Sequence, residues 1–156
     1  MVDKGISFPK INMSNNFIED TIKKGTVVEL KNLLRNNKCL NTKNNLNQTP
    51  LILAIKYYKL EMIEAIIDSG ANLDLCDNEG NTALIISSKL DRVDIIKILL
   101  DANANFNIMN KDGETALDIA KRFGNKSSIT ALCGGKTTKR SYTKDFFKNE
   151  KCLRRI

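Results

Sequence analysis

The stretch Asp77-Asn78-Glu79-Gly80-Asn81-Thr82-Ala83-Leu84 has counterparts 33 residues before it and 33 residues after it. Its last three residues match Thr49-Pro50-Leu51 and Thr115-Ala116-Leu117. Small residues and then mostly aliphatic pairs follow each block at constant offsets: Ala54, Ser87 and Ala120, then Ile66-Ile67, Leu99-Leu100 and Leu132-Cys133. A fixed period of this length is typical of stacked supersecondary units, none of which buries its apolar face alone. The sequence therefore predicts a solenoid, which presents an extended surface suited to binding another macromolecule.

The same period extends towards the amino terminus in a weaker form. Five aliphatic residues lie 33 positions before aliphatic residues of the second unit: Ile18, Val27, Leu30, Leu33 and Leu34. We therefore predict a repeat domain over residues 11–133, with units 11–43, 44–76 and 77–109 and a partial unit 110–133. Residues 1–10 are an N-terminal lead, and residues 134–156 are a basic tail.

The second unit predicts a pair of helices. A short helix runs from Pro50 to about Tyr57, and a longer one runs from Leu60 to about Ser69. Gly70 is the expected C-cap, because Pro at the first helical position and Gly just past the last turn are common helix boundaries.

Tight turns are predicted ahead of the helix pairs. Gly80 and Gly113 end two turn sequences and permit positive φ, and Asn47, the next most tolerant residue type, takes that place in the second unit. Three segments together resemble the ankyrin repeat: Asp77-x-x-Gly80-x-Thr82-x-Leu84, Gly70-Ala71-Asn72 followed by Asp74, and Asp112-Gly113-x-Thr115-Ala116-Leu117-Asp118-Ile119-Ala120.

The resemblance covers roughly residues 11–133. It implies an all-α solenoid of helix-turn-helix units joined by β-turn or hairpin loops, followed here by the basic C-terminal extension. The family usually has His after Thr-Pro-Leu, where it hydrogen-bonds neighbouring units, but this chain has Ile52, Ile85 and Asp118. Each missing bond would contribute about 0.5–1.5 kcal/mol. We therefore expect modest stability, partly recovered by apolar packing of Ile52 and Ile85.

Composition restricts the function. The chain has 156 residues, of which 42% are apolar, which is enough for one domain with a sizeable core. Its net charge of +7 is uneven: residues 1–133 carry +1 and residues 134–156 carry +6. The tail therefore holds most of the basic character.

The histidine and cysteine content argues against catalysis and metal binding. The chain has no His, and its four cysteines form no Cys-x-x-Cys pair: Cys39, Cys76, Cys133 and Cys152. We expect no zinc site, no cofactor and no enzyme, since the usual catalytic triads need His. No apolar segment fits a signal peptide or a membrane span. We therefore expect a monomer with free thiols in the reducing cytoplasm.

One surface is a candidate partner site. In the ankyrin family, partners usually dock on the concave side, which the turn tips and the short first helices form. Four cations take one register position, one per unit, and a second column runs beside them: Lys23, Lys56, Lys89 and Arg122, then Lys24, Tyr57, Leu90 and Phe123. Packed helices lie about 8–10 Å apart, so four cations would span roughly 30 Å. We predict that this surface binds a protein through an extended acidic segment, with Tyr57, Leu90 and Phe123 supplying contact area. The other interpretation is a solvated face of Lys residues.

The tail is compatible with an amphipathic helix from Thr143 to Ile156. Its candidate binding residues combine aromatic and basic side chains: Phe146, Phe147, Lys148, Lys151, Arg154 and Arg155. Three interpretations stay open. The helix covers the last unit, the tail is disordered, or the tail binds an anionic partner such as a membrane, nucleic acid or calmodulin-like protein. The third gives the alternative function, a binder of anionic surfaces.

The abundance of Asn, Lys and Ile is typical of AT-rich genomes, such as those of intracellular bacteria and large DNA viruses. For such a source, a host-directed effector acting in the host cytosol or nucleus is a hypothesis. The sequence names no partner.

Overall fold

The computed structural model describes residues 15–35 and 39–134, which form eight α-helices and no β-strand. The helices in chain order are α1 (Asn15–Lys24), α2 (Val27–Leu34), α3 (Pro50–Lys56), α4 (Leu60–Asp68), α5 (Ala83–Lys89), α6 (Val93–Asp101), α7 (Ala116–Arg122) and α8 (Lys126–Gly134). Consecutive helices pack as pairs, and the first helices also pack on one another in the order α1, α3, α5, α7. The predicted all-α repeat fold is confirmed for these residues, whereas the exact unit boundaries stay a prediction.

The periodic Thr residues are helix N-caps. The side-chain oxygens of Thr49, Thr82 and Thr115 each accept a hydrogen bond from the amide three residues later, at 3.3, 3.4 and 3.3 Å. Each bond satisfies one of the amides that a helix leaves without an internal partner at its first turn. The Thr period therefore sets where α3, α5 and α7 begin.

We expect Thr82→Ala to lower the free energy of unfolding by about 1 kcal/mol, because it removes the cap of α5. Chemical denaturation followed by circular dichroism measures this loss. Thr130→Ala is the control, since Thr130 is exposed in α8 and its hydroxyl donates only to the Lys126 carbonyl. Its loss should stay below about 0.5 kcal/mol. Equal losses in the two variants would show that the cap contributes nothing.

Positive-φ residues end the helices and turns. Gly80 and Gly113 have φ of 79° and 74°, and Asn47 has φ of 55°, which confirms the predicted turns. The C-cap predicted at Gly70 is wrong by one residue. Ser69 is the C-cap of α4, and Gly70 follows it with φ of 85°. Glycine commonly takes this place just past the cap, where its missing Cβ permits the left-handed conformation.

The turns also stack on one another. The first residue of each turn accepts two backbone amides with its side-chain oxygen; for Asp77 the donors are Glu79 and Asn81, both at 3.0 Å. Neighbouring turns are then joined through the backbone, because the Lys111 amide donates to the Glu79 carbonyl at 3.0 Å. In the part of the chain that the structure describes, β-type pairing is limited to one isolated antiparallel bridge, between Cys76 and Thr82.

The core lies between the helix pairs and buries the first helices of the two central units, α3 and α5, almost completely. In α3 every residue except Lys56 is buried, and in α5 every residue except Lys89 is buried. Ile52 and Ile85 are among the largest fully buried side chains, as expected, while Asp118 at the same register position is exposed. Among the described residues, no helix has the length and apolar character needed to cross a membrane.

Candidate functional site

The candidate cations lie at the ends of the first helices. Lys56, Lys89 and Arg122 are the last residues of α3, α5 and α7, and Lys23 is the last but one of α1. Tyr57, Leu90 and Phe123 follow as C-cap residues and are 41%, 45% and 48% exposed. Since the rest of α3 and α5 is buried, solvent reaches these helices only at this end. The repeat thus presents equivalent side chains along one strip.

The cations and the apolar side chains are interleaved in this strip. Lys23 Nζ lies 5.4 Å from the ring centre of Tyr57, and Lys89 Nζ lies 5.9 Å from that of Phe123. In both contacts the cation of one unit lies over the ring of the next unit. Ring faces attract cations within about 6 Å. We call the combined surface the cation–ring strip: Lys23, Lys56, Tyr57, Lys89, Leu90, Arg122 and Phe123.

Lys24 does not share this arrangement. It lines an open groove on the first unit together with residues of α1 and α2, including Phe17, Asp20 and Leu33. The first unit therefore lacks the apolar residue that Tyr57, Leu90 and Phe123 supply in the others.

The two outer cations of the strip are paired within the chain. Lys23 Nζ lies 2.7 Å from Glu19 Oε1, and Arg122 Nη2 lies 2.9 Å from Glu114 Oε2. The hydrogen bond to Glu19 raises the pKa of Lys23, with a smaller contribution from Tyr57, and the same bond lowers the pKa of Glu19. Both charges of this pair are therefore favoured by the fold.

Glu114 differs from Glu19, which also accepts a hydrogen bond from Asn44 at 3.1 Å. The Glu114 Oε2 atom is buried and accepts no hydrogen bond from any described residue. The Arg122 guanidinium charge is then its nearest compensation, although the geometry is that of an ion pair rather than a hydrogen bond. Separating the two would leave the buried Oε2 atom without a compensating charge.

The central cations differ from the outer ones. Lys56 and Lys89 are exposed, and neither forms an ion pair with a residue in the described ranges. Lys89 contacts the Phe123 ring, whereas Lys56 has Leu90 in the place of a ring in the next unit. The four register positions are thus equivalent in sequence but differ in whether the cation has an ionic partner.

Sequence reasoning missed both carboxylates that pair with the strip. Glu19 had a signal, because it lies four residues before Lys23 on α1, a spacing that brings helix side chains together. Glu114 had none, since Gln48 and Asn81 occupy its register position in the other units. The predicted tail residues, Phe146 to Arg155, lie outside the described residues. Among the residues described, no three His, Cys, Asp or Glu side chains are grouped to hold a metal ion.

Comparison with known proteins identifies the family. The family model described as ankyrin repeats (3 copies) matches residues 21–110, more than half of the chain. No curated protein gave a significant match. The matched residues contain two of the three stacked turns, two of the three periodic Thr caps and α2 to α6. The chain belongs to the ankyrin repeat family, whose domains are generally non-catalytic modules that bind proteins.

Proposed function

We propose that this protein is a non-catalytic interaction module that binds an acidic segment of another protein along the cation–ring strip. The observation that carries the proposal is the interleaving of cations with half-exposed apolar side chains along the strip, where Lys56, Lys89 and Arg122 are exposed. A face of Lys residues that serves only to contact solvent would not require exposed apolar side chains beside the cations. Here the rings offer contact area while the cations attract and orient an anionic partner.

The backbone of the central part of the strip is held in place by the core. Lys56 and Lys89 end helices whose other residues are buried, so the backbone at these two positions is held by the core. Rings further restrict Lys23 and Lys89. A surface ordered in advance loses less conformational entropy on binding, which favours affinity. We expect the module to act in the cytoplasm, or in a host cell if it is an effector, as a scaffold, an adaptor or a competitive inhibitor.

The experiment begins with affinity capture from the source cell or its host and identification of the bound protein by mass spectrometry. We expect the double variant Lys56→Glu with Lys89→Glu to weaken binding of that protein at least tenfold, about 1.4 kcal/mol. The reason is that two favourable charge contacts become repulsive. Titration calorimetry measures the change, and the wild-type affinity should fall as salt rises.

The matched control makes the same charge change elsewhere. Lys31→Glu with Lys97→Glu alters two exposed lysines on α2 and α6, away from the strip. This control should keep its affinity within about twofold. Equal weakening in both double variants would mean that net charge, rather than the strip, drives binding.

The net charge of +6 in residues 134–156 supports the alternative function, a tail that binds anionic surfaces. Deleting residues 135–156 removes this charge and leaves α8 complete. Under the proposed function the deletion leaves the affinity for the captured protein intact. Loss of binding on deletion, with no effect of the Lys56 and Lys89 changes, would favour the tail instead.

A further inference from the structure

We propose that the two central lysines, Lys56 and Lys89, bind the acidic residues of the partner. Glu19 and Glu114 act as internal competitors, because they pair with Lys23 and Arg122 and keep these two cations out of the contact. The inference rests on the proposed function of the cation–ring strip. It goes further by dividing four residues that the repeat makes equivalent into a recognising pair and an occupied pair.

The outer cations gain little from a partner carboxylate. Lys23 already pairs with Glu19 at 2.7 Å, so an incoming carboxylate only replaces an existing one. Arg122 likewise pairs with Glu114 at 2.9 Å, and the Glu114 Oε2 atom is buried and lacks a hydrogen bond from the described residues. Removing the guanidinium would leave that buried oxygen without a compensating charge, which carries a desolvation cost.

The central lysines have no such carboxylate among the described residues. Each ends a helix that is otherwise buried, so the two ammonium groups extend from fixed backbone positions on neighbouring units. Leu90 follows Lys89 and is the apolar residue of that unit in the strip. A partner that docks here can therefore contact two cations without ionic partners, Lys56 and Lys89, together with the apolar side chain of Leu90.

The spacing of the units defines the partner's geometry. Neighbouring packed helices lie about 8–10 Å apart. An extended polyproline II segment has three residues per turn and rises about 3.1 Å per residue, so side chains three positions apart point the same way, roughly 9 Å from each other. Acidic residues at positions i and i+3 of such a segment match Lys56 and Lys89. A helical partner would instead need acidic residues seven positions apart, about 10 Å along its axis, because its i and i+4 side chains lie only about 5–6 Å apart.

The test uses full-length protein and labelled twelve-residue peptides in a Pro-rich, otherwise uncharged host. Each peptide carries two Asp residues placed two, three or four positions apart, and fluorescence anisotropy at low salt measures the dissociation constant. We expect the spacing of three to bind at least threefold more tightly than the others. Lys56→Gln and Lys89→Gln should each weaken it several-fold, and Lys23→Gln should change it less than twofold.

Glu114→Gln is the sharpest variant, because it keeps the size of the side chain and frees Arg122. We expect this variant to bind the peptides at least twofold more tightly than wild type. The gain should disappear in Glu114→Gln with Arg122→Gln, where no cation is released. Unchanged thermal unfolding of Glu114→Gln confirms that its fold is intact.

Several results would overturn the inference: no peptide binding at millimolar concentration, no spacing preference, equal sensitivity at all four cations, or no gain from Glu114→Gln. The captured natural partner separates this failure from that of the proposed function. If that partner still depends on Lys56 and Lys89 together, only the division of roles fails. If it ignores the strip altogether, the proposed function fails as well.

Discussion

Gly80→Ala is expected to lower the free energy of unfolding by about 3 kcal/mol, through a backbone strain and a clash between units. Gly80 has φ of 79°, and an L-residue in the left-handed region costs roughly 1–2 kcal/mol. A Cβ there would lie 2.9 Å from the Lys111 amide nitrogen and 3.2 Å from Asn110 backbone atoms. The neighbouring turn would have to move, which disturbs the hydrogen bond from Lys111 to Glu79. Losing that bond costs about 0.5–1.5 kcal/mol more.

Gly113→Ala is the matched control for this prediction. Gly113 takes the same turn position with φ of 74°, but a Cβ there meets no atom within 4 Å. The control therefore carries the backbone strain alone, about 1–2 kcal/mol. Urea denaturation of the two variants, followed by circular dichroism, isolates the contact between turns as the difference. Equal losses would mean that the stacked turns do not hold neighbouring units together.

Ile85→Ala is expected to cost about 2–5 kcal/mol, because it opens a cavity in the middle of the stack. Ile85 is 1% exposed and lies on α5, which packs against α3, α6 and α7. A single large side chain thus fills space where several helices meet. Ile85→Val removes one methylene and should cost about 0.5–1.5 kcal/mol, which gives a graded series in the same denaturation experiment.

Asp118 occupies the same register position in the last unit and provides the comparison. Its carboxylate accepts the Thr115 amide at 3.0 Å and the Thr115 hydroxyl at 2.6 Å, and its side chain is exposed. We expect Asp118→Ala to cost only about 1 kcal/mol, the value of a capping interaction. An Ile85→Ala loss no greater than that of Asp118→Ala would show that the family's His position is not a packing site here.

Side-chain contacts at other positions join neighbouring units in this chain, which lacks the family's His. The Tyr58 hydroxyl donates to Asp94 at 2.7 Å, and Arg92 lies 4.0 Å over the Tyr58 ring. In the next interface the Ser128 hydroxyl donates to Asp91 at 2.6 Å. Tyr58 and Asp91 have φ of 53° and 52°, values that favour glycine. Their side chains bridge to the following unit, which a glycine at either position could not do.

The sequence by itself was sufficient for the repeat, its helices and its turns. Thr82 caps the helix that follows it, and Gly80 permits the turn before it, through interactions within a few residues. These local interactions recur with the repeat period and can therefore be predicted from the sequence alone. Burial of Ile52 and Ile85 was also predictable, because apolar residues recur at a register position that faces the stack.

Only the tertiary structure decided which neighbours the cations of the candidate site have. Lys23 lies over Tyr57, and Lys89 lies over Phe123, each pair 34 residues apart along the chain and joined only by stacking. Arg122 meets Glu114, whose register position holds Gln48 and Asn81 in the two preceding units. Periodicity places side chains in equivalent positions, but the neighbours that each one meets come from the adjoining unit. The electrostatic state of each cation therefore follows from packing and not from the repeat.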